Sequence, residues 1–277
     1  MKALPGRSAL PAAIIFLVLM PLATAQEEKR PAPELSYTAP MGARVFDVSK
    51  LAPYHAVWSR SIKPEEEWTS QGEAEEILEV DDDGNWVHTQ ITTVPGTDRV
   101  ITVVRTLDGT TLRPLHTLRT DSAAPEGAPV QVEFTYGPID VTGTYTFGDG
   151  SSEPYEKALP MPMFDGSIVG LPIATMPLAE GYRETIPTVI PSLNATYWLE
   201  IEVTGKMPYE VQTGEVIDVW EVTANWYNVD DEDWYPPGRD DWGGAYYIAV
   251  EPGNGVPYVV EYAHSTLVFA WDGKRRD

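Results

Sequence analysis

The sequence predicts a mainly β protein, an antiparallel sheet of about eleven strands plugged by one short helix. Three observations point there. Apolar and polar residues alternate with a period of two along most of the chain, Asp-Gly turns punctuate that alternation, and one proline-rich apolar stretch interrupts it. The pattern is strongest from Glu215 to Ala270. In Val219 to Tyr227, Trp220, Val222, Ala224 and Trp226 alternate with Glu221, Thr223 and Asn225, which gives one apolar and one polar face. Tyr246, Ile248 and Val250 repeat the device, as do Tyr258, Val260 and Tyr262. The three segments are expected to pair as a meander with their aromatic residues as cross-strand neighbours.

Ahead of this unit the chain reads as successive hairpins. Ile77 to Val80 leads through Asp81-Asp82-Asp83-Gly84-Asn85 into Trp86 to Val94, and Val100 to Leu107 leads through Asp108-Gly109 into Thr110 to Thr120. Asp-Gly between β-branched runs is a strong turn signal. Val130, Val132, Phe134 and Tyr136 form the next strand, followed by one carrying Val141, Tyr145 and Phe147, in which Gly143 marks a bulge or bend. In Tyr197 to Thr204, Tyr197, Leu199, Ile201 and Val203 face inward and Trp198, Glu200 and Glu202 face out.

The rhythm breaks between Ala158 and Pro177. Pro160, Pro162, Pro172 and Pro177 exclude a sheet interior. Phe164, Ile168, Val169, Leu171 and Ile173 cluster without alternation. Asp165 or Ser167 is expected to cap a short helix ending near Pro172, which closes one open face of the sheet.

Residues 1–25 have the form of a signal peptide: Lys2 and Arg7 precede an apolar run from Ala12 to Leu22, and Ala23-Thr24-Ala25 offers a small-x-small cleavage site. The run is about 11 residues, where a spanning helix needs about 20. Residues 26–50, with Pro31, Pro33 and Pro40, read as an extended or disordered leader, and 51–273 as a single β domain. The protein is therefore expected in the periplasm or secreted, not membrane-spanning once mature. No cysteine follows the apolar run to accept a lipid. The core alone must supply stability, since no disulfide is available.

Charge and composition narrow the function. The formal net charge of −23 becomes two units more negative when Lys2 and Arg7 are removed. That argues against nucleic acid and anionic membrane surfaces, both of which need clustered basic residues. Thiol chemistry is excluded without cysteine, and no two of His55, His88, His116 and His264 have zincin spacing. No nucleophile elbow, phosphate loop or dinucleotide fingerprint occurs. The acidic constellation Asp230-Asp231-Glu232-Asp233 with Asp240-Asp241 encloses Trp234, Tyr235 and Arg239. It lacks the D-x-D-x-D-G order of a calcium loop and reads as a solvated hairpin loop. No catalytic residue, metal site or cofactor is expected.

The arrangement resembles a family of Gram-negative exported proteins known as a domain of unknown function. The residues that carry the likeness are Asp218-Val219-Trp220-Glu221-Val222, Gly244-Ala245-Tyr246-Tyr247-Ile248 and Pro257-Tyr258-Val259-Val260-Glu261, within a span from Leu51 to Ala270. The family is similar in fold to the periplasmic lipoprotein carrier and receptor proteins. The resemblance implies a curved antiparallel sheet, an incomplete β-barrel, around an apolar cup able to bind acyl chains.

On that basis an apolar or lipid-like ligand would lie against Phe134, Tyr136, Trp220, Trp226, Tyr246, Ile248, Tyr258 and Tyr262. Phe164, Ile168 and Leu171 would cover it. The alternative is an envelope structural or interaction protein with no small-molecule ligand, in which the aromatic residues are core and a protein partner binds the acidic loop or a sheet edge. A hydrolase of envelope polymers is the third class, and converging histidine and carboxylate side chains would favour it. Mass analysis of the exported chain is expected to give a first residue of Gln26; a product retaining residues 1–25 would contradict the leader.

Overall fold

A computed structural model describes residues 41–43, 45–62, 69–228, 243–252, 256–264 and 267–274. Eight strands come first: β1 (Tyr54–Ile62), β2 (Thr69–Val80), β3 (Trp86–Thr93), β4 (Val100–Leu107), β5 (Pro114–Asp121), β6 (Pro129–Tyr136), β7 (Asp140–Phe147) and β8 (Ser152–Ala158). The two-residue β9 (Phe164–Asp165), a 3-10 turn (Gly166–Ile168) and α1 (Gly170–Thr175) follow. The chain then returns through β10 (Arg183–Ile190), β11 (Ala195–Glu210), β12 (Val216–Asn228), β13 (Gly243–Ala249), β14 (Val259–His264) and β15 (Leu267–Trp271).

All fifteen described strands belong to one sheet, in the order β8-β7-β6-β5-β4-β3-β2-β1-β15-β14-β13-β12-β11-β10-β9. Two meanders thus run outward from a central seam where β1 pairs with β15, Trp58 opposite Trp271. Every neighbouring pair is antiparallel except β9 with β10, which is parallel, so the sheet is mixed. The free edges, β8 and β9, are consecutive in sequence. Residues 159–163 must connect them, and so short a segment reaches about 20 Å at most. The sheet therefore bends round toward its own far edge. Lys157 Nζ on β8 donates to the carbonyl of Asn194 at 3.1 Å, just before β11. Val132, Phe134, Tyr136 and Val141 share a cluster with Val189 of β10. No ladder joins β8 to β9, and the sheet stays open.

The sheet has fifteen described strands where the alternation predicts about eleven, and three of the additional ones lack the pattern. β8 is exposed along most of its length and carries Glu153, Pro154, Glu156 and Lys157; an edge strand protected in this way has no apolar stripe to recognise. β9 has two residues, and β15 is a short strand beyond the last aromatic alternation. The packed fold also begins before Leu51, with Phe46 buried against Phe164, ring centroids 5.0 Å apart.

The first Asp-Gly turn forms as expected, with Asp81 N donating to Asn85 O at 2.9 Å and Gly84 at φ +82°. At the second, the strained position is Leu112, φ 57°, and not Gly109. Asp108 accepts from the backbone N–H of Thr110 and Thr111 at 3.0 and 2.9 Å, and side-chain capping of this kind replaces the glycine turn. On β11, Tyr197, Leu199, Ile201 and Val203 are buried, as the alternation requires.

The helix differs from expectation in its end. Asp165 does cap the 3-10 turn, accepting from Ser167 N at 2.9 Å. Pro172, however, is the third residue of α1 and not its terminus. First-turn N–H groups have no intrahelical acceptor, so proline costs no hydrogen bond there. The helix stops before Pro177, where Met176 N donates to Ile173 O.

Gly143 is neither a bulge nor a bend. It pairs in register with Phe134 and Tyr155, and the β6–β7 irregularity lies between Pro129 and Gln131. The missing side chain makes room for the Phe134 ring, which sits 5.8 Å from Tyr145 and 5.0 Å from Tyr155. A Cβ at Gly143 would stand 2.7 Å from that ring and 2.1 Å from Glu133 O. Gly143→Ala is expected to destabilise the protein by about 1–3 kcal/mol in urea unfolding; unchanged stability would mean that this crowding is relieved at no cost.

Candidate functional site

The inner face of β2, β3 and β4 carries charged residues in phase with apolar ones. Glu76 stands between Ala74 and Leu78, His88 next to Trp86, and Arg105 before Leu107, with Ala74, Leu78, Trp86, His88, Arg105 and Leu107 all buried. Register then aligns them. His88 lies opposite Leu78 on β2 and Arg105 on β4, and Arg105 opposite Thr117 on β5. The result is a chain of polar side chains across the interior of a sheet.

Tyr54 donates its hydroxyl to Glu76. Glu76 Oε1 is 3.4 Å from His88 Nε2, and His88 Nδ1 is 3.4 Å from Arg105 Nη1. Arginine can only donate, so Nδ1 is the acceptor and the ring proton sits on Nε2, facing Glu76. Arg105 Nε is 3.5 Å from Asp165 Oδ2. The Tyr136 hydroxyl donates to that same oxygen at 3.3 Å and lies 3.4 Å from Thr117 Oγ1. Asp165 Oδ1 meanwhile caps the 3-10 turn. One carboxylate thereby fastens the helical segment to the opposite meander.

Titration follows from this arrangement. Burial pushes the Glu76 carboxyl up, but His88, the Tyr54 hydroxyl and Arg105 together outweigh it and hold the group below its ordinary value. Burial and the Asp165 charge raise the Tyr136 phenol, and burial with Glu76 raises Tyr54; both stay protonated as donors. On the side chains that line the smaller cavity, Trp58 Nε1 and Arg105 Nε are buried with no well-formed hydrogen bond, their residues being 4% and 7% exposed. The 3.5 Å contact from Arg105 Nε to Asp165 is an ion pair but too long for a good hydrogen bond. No group of three or more acids and histidines able to hold a metal occurs among the described residues.

Two cavities flank this chain. One, of about 400 Å³, lies between Tyr54, Trp58, Glu76, His88 and Arg105 on one meander and Trp226, Tyr246 and Tyr262 on the other, beneath Ile168 and Leu171. The second, of about 620 Å³, is bounded by Phe134, Tyr136, Tyr145 and Arg119. Arg105, Ser167 and Ile190 line both. The helical segment is tightly seated: a Cβ at Gly170 would stand 2.4 Å from Val259, and one at Gly166 would stand 2.6 Å from Ile190.

The aromatic and aliphatic residues singled out in the sequence divide among these places. Ile168, Leu171, Trp226, Tyr246 and Tyr262 line the smaller cavity, and Phe134 and Tyr136 the larger. Phe164, Ile248 and Tyr258 line neither and are buried in the core. Phe164 packs on Phe46; Tyr258 donates to Lys50 O at 2.9 Å and sets its ring against Tyr54. Trp220 packs on that core beside its register partner Ile248, at the end of the β12–β13 pair away from Trp226. Alternation assigns all of these to one face, but only part of that face is left uncovered. The acidic loop at Asp230 to Asp241 lies outside the described residues. Glu76, His88, Arg105 and Trp58 were not singled out, although charge in phase with buried neighbours was readable on β2, β3 and β4.

A family model described as a protein of unknown function (DUF3108) matches residues 54–263. The chain belongs to the DUF3108 family. No curated protein and no solved structure matches it. The DUF3108 span opens on the first residue of β1 and ends one residue short of the end of β14. It takes in the whole lining of both cavities and the polar chain between them. In this DUF3108 chain, Arg105→Met would leave Asp165 and Glu76 without their shared cation. A loss of about 3–5 kcal/mol at neutral pH is expected. Glu76 is depressed in the folded parent, so its contribution is present above the ordinary carboxylate value and fades as pH falls through the lowered one. The gap between parent and variant should therefore narrow in acid; a gap independent of pH would show that charge is not its source.

Proposed function

We propose that the protein is a binding or carrier protein for an apolar or lipid-like ligand, held inside an incomplete β-barrel and covered by the α1 segment. The observation that carries the reading is the cavity of about 400 Å³ walled by Trp58, Ile168, Leu171, Trp226, Tyr246 and Tyr262. Its size lies within the range of about 300–1,000 Å³ of small-molecule sites, and a mostly apolar wall with a few polar groups is their usual make-up. The leader in the sequence supports action in the periplasm or outside the cell. The resemblance to envelope carrier proteins supports the same ligand class.

Two features weigh against the other readings. The exposed edge strand β8 carries charged residues and a proline, which discourage addition of a partner strand. The two ring nitrogens of His88 contact Arg105 and Glu76, an arrangement that supports a structural imidazole over a general base for a nucleophile.

Native mass spectra of the gently purified protein, before and after organic extraction, test the proposal. A co-purifying mass of lipid size that extraction removes is expected. Trp226→Ala should weaken uptake by about 1–3 kcal/mol, in keeping with the apolar surface removed, whereas Trp220→Ala should leave it unchanged. A clean unliganded mass with no uptake of added phospholipid or fatty acid would overturn the reading.

A further inference from the structure

The larger cavity, of about 620 Å³, has no part in the reading above, yet its wall is also mainly apolar, with Val103, Val132, Phe134 and Phe147 in it. It alone is within the size range of a small-molecule site. Arg105, Ser167 and Ile190 line both cavities, so the partition between them is one layer of side chains.

Both cavities reach the surface at one place. Ser167, which lines both, is exposed. Ser192 and Leu193 are consecutive in the turn between β10 and β11, and both are exposed. Ser192 lines the larger cavity and Leu193 the smaller. Ile190 joins this turn to the 3-10 segment, since a Cβ at Gly166 would stand 2.6 Å from its side chain. The two cavities therefore open side by side on either flank of Ile190. The turn is fastened to the edge strand β8, where Lys157 Nζ donates to Asn194 O at 3.1 Å and the Tyr155 hydroxyl to Asn194 Oδ1 at 3.3 Å. The larger cavity is also bordered by exposed Gly127 and Glu153, which the smaller does not share.

This arrangement discriminates among apolar ligands. A single chain could fill both cavities only by passing through the partition, which Ile190, packed on Gly166, and Arg105, paired with Asp165, obstruct. Seated in one cavity, it leaves apolar wall in the other exposed to water. A molecule with two chains joined at one end covers both walls at once. Its junction stays at the Ser167–Leu193 rim, where polar groups keep their water and avoid the cost of burial.

We propose that the ligand is a two-chain lipid that straddles Ile190, with one hydrocarbon chain in each cavity and its polar junction at the rim formed by Ser167, Ser192 and Leu193. The proposal rests on the apolar-ligand reading and extends it to the second cavity.

Titrations of the unmodified protein with 1,2-dioctanoylglycerol and with methyl octanoate, followed by native mass spectra, test it. At saturation one dioctanoylglycerol or two methyl octanoates should be bound. Dioctanoylglycerol should bind about a hundredfold more tightly, because seating one chain delivers the other to the adjacent mouth at high effective concentration. Val103→Phe, which narrows the larger cavity alone, should reduce the methyl octanoate count from two to one and abolish the advantage of the second chain. A single methyl octanoate at saturation of the unmodified protein, or a dioctanoylglycerol affinity no greater than that of methyl octanoate, would overturn the two-chain proposal and leave an apolar site standing. A folded Val103→Phe protein with both properties unchanged would show that the second chain lies elsewhere and would overturn it too. If neither compound binds, the apolar-ligand reading itself falls.

Discussion

The contact between Arg105 and Asp165 holds together parts of the molecule that the backbone ladder leaves apart. Arg105 sits in the middle of one meander, on β4, and Asp165 at the far end of the other, on the edge strand β9. An ion pair this deeply buried is seldom a net source of stability, because desolvation offsets most of the attraction. Its value here is positional. Asp165 also caps the 3-10 turn and accepts from Tyr136, so the helical segment, the open edge and the interior polar chain share one carboxylate. The distance between the two meanders, and hence the existence of cavities between them, depends on that residue staying where it is.

Much of this architecture was legible in the sequence, and what was not has a physical reason. Alternation exposes a strand only where one face is buried and the other wet, as on β11 and in most of the first seven strands. It fails on β8, which is solvated on nearly all sides, and on β9, which is too short to have a period. It also assigned every in-phase aromatic residue to a single binding face. Packing divides that face, with Tyr258 and Phe164 used up by Lys50, Tyr54 and Phe46 while Trp226 and Tyr246 remain beside open space. The interior charges were visible as anomalies of phase, since Arg105 falls where the pattern calls for an apolar residue. Their mutual pairing was not, because it depends on register across three strands and on a segment sixty residues further along the chain.

The two cavities are better understood as one trough divided by side chains than as separate sites. Arg105, Ser167 and Ile190 belong to both walls. On the β2–β4 side the wall is polar, and on the β12–β14 side it is aromatic. The rigidity of the divide comes from close seating of Gly166 and Gly170 against Ile190 and Val259, which leaves the helical segment little freedom to slide.

The central seam has a further consequence for how the chain reaches this structure. β1 and β15 meet in the middle of the sheet, with Ser59 Oγ reaching the carbonyl of Ala270 across a separation of 211 residues. Contacts so distant in sequence form late and slowly. During synthesis, two half-sheets can zip up locally from their hairpins, but β1 must wait with one side unpaired until the last strand has been made. The join that lies at the centre of the finished sheet is therefore the last to close, and the interval before it closes is when this protein is most exposed to pairing with the wrong strand.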